Sequence, residues 1–186
     1  IPTASGDNDS YKLNFYRAFS QLNCITSHLD FFARTEDIEK KVLDKDIFYV
    51  GGGNTKSMLA IWREWNLDMI LKKAYRSGIV MSGVSAGAIC WFEKGITDSY
   101  SDNLSILDCL GFVEGIACPH FDEETEREPF VNEMIEKEII KSCLCIEGNC
   151  AMHIEDEKEI KSINFGLNKN SYSITKKNNK ILKKLL

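Results

Sequence analysis

Twice in the first half of the chain, a short apolar run ends in a glycine-rich turn and gives way to a helical pattern. Residues 46–50 lead into Gly51-Gly52-Gly53-Asn54-Thr55, and Ile79-Val80-Met81 leads into Ser82-Gly83-Val84-Ser85-Ala86-Gly87-Ala88. Parallel strands need a crossover connection, usually a helix, and helices laid on both faces bury the sheet. The repeat therefore predicts an α/β fold: three layers, a mostly parallel sheet with helices on either side. In such sheets functional residues collect at the carboxyl ends of the strands, where both glycine turns fall.

At 186 residues and 44% hydrophobic, the chain suits one domain with a single core, and 1–186 is read as such. Leu13, Tyr16, Phe19 and Leu22 recur at helical spacing behind a cap at Asp9 or Ser10. Further helices are expected from about 67 to 76, stopping at Gly78, and from Pro129 to about 141. Residues 25–32 and 143–146 read as strands. From 151 onward short alternating runs (151–155, 160–165, 171–175, 180–185) predict antiparallel hairpins along the C-terminal edge. Ile1-Pro2-Thr3-Ala4-Ser5 reads as the end of a strand and its loop, so a first strand is expected to precede Ile1.

A formal net charge of -5 argues against a nucleic-acid partner, and the lysines of 176–184 read as a solvated strand and tail. No apolar stretch approaches the ~20 residues of a membrane span, and no signal peptide is visible. A cytoplasmic protein without a membrane partner is expected. The seven cysteines are odd in number and mostly in apolar runs, which suits reduced, buried thiols rather than a disulfide framework or a metal site.

Gly83-Val84-Ser85-Ala86-Gly87 fits Gly-x-Ser-x-Gly between a buried strand and a helix, the context that makes Ser85 a candidate nucleophile. The turn needs small neighbours. Its following amide, that of Ala86, is aimed where an oxyanion would develop, and the helix behind it adds partial positive charge. The glycines at 51–53 leave backbone amides open to a ligand, so Gly52 or Gly53 is expected to complete an oxyanion hole. Lys56-Ser57 sits too near those glycines for a phosphate loop.

Histidine is the usual base for a serine at neutral pH, and the chain has three. His28 reads as a structural histidine within a strand, and His153 as part of an alternating strand. His120 follows Cys118-Pro119 at a strand end, before the acidic segment 122–128, and is the expected base. Asp98, Asp102 and Glu147 are rival carboxylates for orienting it, and spacing does not separate them.

Tyr49-Val50-Gly51-Gly52-Gly53-Asn54-Thr55, Gly83-Val84-Ser85-Ala86-Gly87-Ala88, Thr97-Asp98-Ser99, Pro119-His120-Phe121 and Glu147-Gly148-Asn149 together resemble the serine peptidase family of peptidase E (α-aspartyl dipeptidase) and cyanophycinase. They occur in the family's order. The resemblance implies a fold related to class I glutamine amidotransferases and a Ser85–His120–Asp98 triad. It also implies an oxyanion hole from the glycine turn and Ala86, Glu147 as a helper, and no metal or organic cofactor. Aspartyl dipeptidases place an arginine in a Glu-Thr-Arg stretch after the histidine. Here Glu124-Thr125-Glu126-Arg127 shifts it by one position, which on a helix is a rotation of about 100°. Arg127 is thus a candidate for holding a substrate carboxylate, with a surface ion pair as its other reading. The implied reaction is hydrolysis of short peptides through an acyl-enzyme, by a monomer or homodimer. An esterase or amidase, or a non-catalytic binding protein on this scaffold, are the alternatives.

Overall fold

A computed structural model describes residues 1–100, 103–165 and 168–186, in two units, Ile1–Ala88 and Ile89–Leu186. Asp102 lies outside the described residues.

In the first unit, capping decides where helices begin. Asn8 accepts from the amides of Ser10 and Tyr11 at 2.9 and 3.3 Å and starts α1 (Asp9–Phe19), one residue before the expected cap. Leu13 and Leu22 are exposed. The inward face carries Phe15 and Phe19 instead, the first stacked on Tyr49 and the second tilted against it, at centroid distances of 6.0 and 5.5 Å. After α2 (Ile38–Leu43) comes β1 (Ile47–Val50), which pairs in parallel with β2 (Val80–Gly83), Val50 facing Gly83. The crossover consists of α3 (Thr55–Glu64) and α4 (Leu67–Arg76). Asn54 caps α3 by accepting from Ser57 N at 2.8 Å. Helix α4 keeps the expected bounds. Met58, Leu59, Trp62, Leu67, Leu71 and Ala74 point inward and are fully buried, each large side chain contributing about 1.5–3 kcal/mol.

Residues 25–32 form no strand. Ile25 and Phe32 are exposed, and among the described residues no strand pairs with the segment. The segment is held by Asp7, whose carboxylate accepts from the amides of Phe31 and Phe32. Alternating apolar residues do not make a strand unless a partner accepts their backbone groups.

The second unit is built on a six-stranded sheet containing β3 (Phe92–Thr97), β4 (Ser105–Asp108), β5 (Val113–Cys118), β6 (Ser142–Ile146), β9 (Ser171–Lys177) and β10 (Lys180–Leu185), in the order β10-β9-β6-β5-β3-β4. The central pairs β3/β5 and β5/β6 are parallel, and antiparallel pairs flank them. A separate hairpin joins β7 (Cys150–Glu155) to β8 (Glu159–Asn164). The alternation of side chains divides the core in two. Cys118, Cys143, Cys145, Ile96 and Ile174 meet Val131 and Ile135 of α6 (Arg127–Glu136) on one face. On the other, Ala117, Phe92 and Val113 meet Ile89, with Leu144, Met152 and Ile154 packed alongside. The α/β class and the C-terminal hairpins are as the periodicity predicts. Helix α6 stops at Glu136, five residues short of the expected end, because Glu138 turns left-handed (φ 58°) and Ile139 N bonds back to Met134 O.

Candidate functional site

Ser85 sits between β2 and α5 (Ala86–Ile89) with φ 55°, a left-handed value that a residue with a Cβ adopts at a cost. The two glycines of the pentapeptide explain how the turn is held. A Cβ on Gly83 would lie 2.3 Å from Gly87 O and 2.7 Å from Val50 O, and one on Gly87 would lie 2.1 Å from Val50 O. Both positions are closed to side chains, so the backbone folds tightly over the end of β1 and leaves Ser85 half-buried at its tip. The amides of Gly87 and Ala88 bond to Val84 O and Ser85 O. That of Ala86, first in the helix, has no carbonyl of its own turn to bond. With only four residues, α5 contributes less macrodipole than a full helix would.

The glycine-rich turn lies beside this serine. A Cβ on Gly52 would be 3.2 Å from Ser85 Cβ. Ser85, Gly52 and Ala86 are therefore brought together within the first unit. The Gly52 amide donates to Tyr11 Oη at 2.7 Å, a contact that sequence did not suggest. Gly53 (φ 136°) serves a packing need, since a Cβ there would fall 2.2 Å from Ala4 O.

In the second unit the turn after β5 carries His120, also left-handed at φ 53°. Phe121 N donates to Ile146 O at 3.0 Å, and Gly148 N donates to Asp122 Oδ1 at 2.7 Å, tying the turn to the loop after β6. His120 Nδ1 meets Glu123 Oε2 at 2.6 Å. A carboxylate only accepts, so Nδ1 carries a proton; in the neutral ring this is the tautomer with its lone pair on Nε2, the one a general base requires. With their side chains 31% and 48% exposed, the pair is worth little as stability. Its effect is orientation.

Asp98 follows β3 as an exposed residue, inside a turn closed by Thr97 Oγ1 and Ser99 Oγ at 2.8 Å. The carboxylate that meets Nδ1 here is that of Glu123. Glu147 Oε2 accepts from Asn170 N at 2.9 Å, which fastens its loop to the start of β9. Arg127 is 2% exposed, not a surface residue: its guanidinium donates to Glu124 Oε2 at 2.7 Å and to Ile96 O at 3.2 Å. His28 Nδ1 pairs with Tyr16 Oη at 2.7 Å, and His153 stands exposed on β7.

Glu123 and Tyr11 make contacts with His120 and Gly52 that sequence reasoning missed. The first stands three residues after His120, a spacing that a search of the acidic run for close carboxylates could have raised. For the second, 41 residues separate donor and acceptor, and no local signal marks it.

A serine at the tip of a glycine-bounded strand-to-helix turn, within an α/β fold, defines a class of hydrolases. The chain matches the model of peptidase family S51 over residues 1–162 and belongs to that family. It is a peptidase, of a serine peptidase family. It is 42% identical over 164 residues to the uncharacterized peptidase YgaJ of Bacillus subtilis (strain 168), covering 88% of this chain and 71% of that one. It is 26% identical over 140 residues to the uncharacterized peptidase Lmo0363 of Listeria monocytogenes, covering 69% and 67%. Among solved structures, a candidate peptidase E from Listeria monocytogenes EGD-e superposes with a TM-score of 0.70 at 22% identity, over 89% of this chain and 84% of that one. A peptidase from an acI-B1 Actinobacterium gives 0.60 at 16%, over 95% and 82%. These likenesses carry the fold. Among the described residues no helix is long and apolar enough to cross a membrane.

Proposed function

We propose that the chain hydrolyses short peptides through an acyl-enzyme on Ser85, with His120 as the general base that takes and then returns the proton. The observation that carries this reading is the left-handed Ser85 turn, which Gly83 and Gly87 alone make possible. The contact between His120 Nδ1 and Glu123 supports Glu123 as the orienting carboxylate. Asp98, implied by the family resemblance, is the competing assignment. Arg127 is already engaged by Glu124 and Ile96 O, which supports a substrate range not built on recognition of an N-terminal aspartate by that side chain.

A dipeptide library screened with the native protein and Ser85→Ala tests the reading. Ser85→Ala is expected to lower turnover by about 10⁴-fold or more with the fold intact. Full activity of Ser85→Ala on the peptides the native protein cleaves would refute it. Nitrophenyl esters in the same screen separate a peptidase from an esterase.

A further inference from the structure

The amide of Gly52 has one hydrogen, and it is directed at Tyr11 Oη. An oxyanion bound by that amide would have to stand where the phenol oxygen stands. Either the phenol leaves on each turnover, or it does the binding. The ring is held on two sides. Asn8 caps helix α1 at the backbone amide of Tyr11 itself. The ring lies against the bare backbone of Gly51, where a Cβ would come within 2.6 Å of Tyr11 Cε1. Displacing the hydroxyl would mean lifting the ring off Gly51.

The hydroxyl is also well placed. Tyr11 Oη and Ser85 Cβ lie 3.4 and 3.2 Å from the point a Gly52 Cβ would occupy, so both flank the same backbone atom. A tyrosine hydroxyl accepts and donates at once. Accepting from Gly52 N–H leaves its own hydrogen to give, and a hydroxyl that accepts one hydrogen bond donates a stronger one.

We propose that Tyr11 is a catalytic residue whose hydroxyl, polarised by the Gly52 amide, donates to the oxyanion formed when Ser85 attacks. The proposal rests on Ser85 being the nucleophile and extends that reading. As Ser85 Oγ bonds to the acyl carbon, its O–H bond breaks, the proton passes to His120, and the carbonyl π pair moves onto oxygen. Tyr11 O–H hydrogen-bonds to that charge and keeps its proton. The Gly52 amide acts through the phenol, one hydrogen bond removed from the substrate.

The test compares native protein, Tyr11→Phe and Ser85→Ala in labelling by an alkyl fluorophosphonate. In that reaction the Oγ–P bond forms, fluoride leaves, and the phosphoryl oxygen draws on the same donors. Tyr11→Phe keeps the ring on Gly51, and its melting temperature should stay within a few degrees of native. The maximal labelling rate is expected to fall about 10²–10³-fold with the half-saturating probe concentration unchanged within about threefold. Affinity for a dipeptide boronic acid should fall by a similar factor. A purely structural tie would move the melting temperature and leave that split untouched. Labelling of Tyr11→Phe at or above the native rate, with Ser85→Ala unlabelled, would make the phenol a plug and overturn the proposal alone. Native-rate labelling of Ser85→Ala would remove the nucleophile, and the proposal with it.

Discussion

Val50, Gly83 and Gly87 stack so closely that backbone touches backbone, and this contact shapes the Ser85 turn. Gly87→Ala would push a methyl into Val50 O, with no flexible side chain to yield. A loss of about 3 kcal/mol is expected, readable as a lowered urea midpoint. Arg127 illustrates the opposite economy, a charge buried because two partners, Glu124 and Ile96 O, take up its hydrogen bonds. Arg127→Met should cost about 2 kcal/mol or more, since Ile96 O and Glu124 are left wanting. The ratio of kcat/KM for Asp-headed over Ala-headed dipeptides should stay as in the native protein. A collapse of that ratio would return Arg127 to the role of substrate anchor.

The turn 119–124 and the loop 146–149 form a clasp, and two of its carboxylates, Asp122 and Glu123, do different work. For Asp122, burial pushes the carboxyl up, but the hydrogen bonds from Lys169 and from Gly148 N outweigh it and hold the group below the usual carboxylate range. A carboxyl depressed in the folded state adds stability that is complete above its unfolded value of about 3.9 and is lost as pH falls through the folded value. The clasp should therefore loosen below about pH 4, and Asp122→Asn should flatten the acid limb of the stability–pH curve. For Glu123 the consequence is kinetic. Glu123→Gln should lower kcat by about 10²-fold or more if it orients His120, with Asp98→Asn nearer native. The reverse ranking would assign the role to Asp98. Helix α6, which leads away from the clasp, shows why element ends resist sequence reading. The helical pattern continues past Glu136, and the left-handed turn at Glu138, a residue with no preference for it, ends the helix.

Across the chain, what could be read in advance was local. The runs at 46–50 and 79–81, helix α4 and the late hairpins are marked by periodicity and punctuation within a few residues, and so is the pentapeptide around Ser85. What could not be read depends on distant partners. Residues 25–32 alternate like a strand but have none to join. Glu123 is one acid among several until the His120 turn folds over it. Tyr11 and Gly52 meet only when β1 and α1 pack. The cysteines show both sides of this. No disulfide joins them, and the thiols of Cys90, Cys118, Cys143 and Cys145 are all pushed up: by burial at Cys90 and Cys145, by hydrogen bonding to Cys145 and then burial at Cys118, and at Cys143, against a hydrogen bond with Cys145 that lowers it, by burial and the neighbouring Cys118 together. Cys24 alone is exposed. A maleimide at neutral pH should label Cys24 first, and the four buried thiols only on unfolding; rapid labelling of Cys118 in folded protein would contradict the packing described.

The tight stacking over Val50 has an evolutionary corollary. Gly83 and Gly87 are required by the spacing of two backbones, whatever residue 85 does. A descendant that gave up hydrolysis could exchange its serine in one step yet would keep both flanking glycines. In such lineages the glycine frame would persist as a fossil of architecture, and only the hydroxyl between them would report on chemistry.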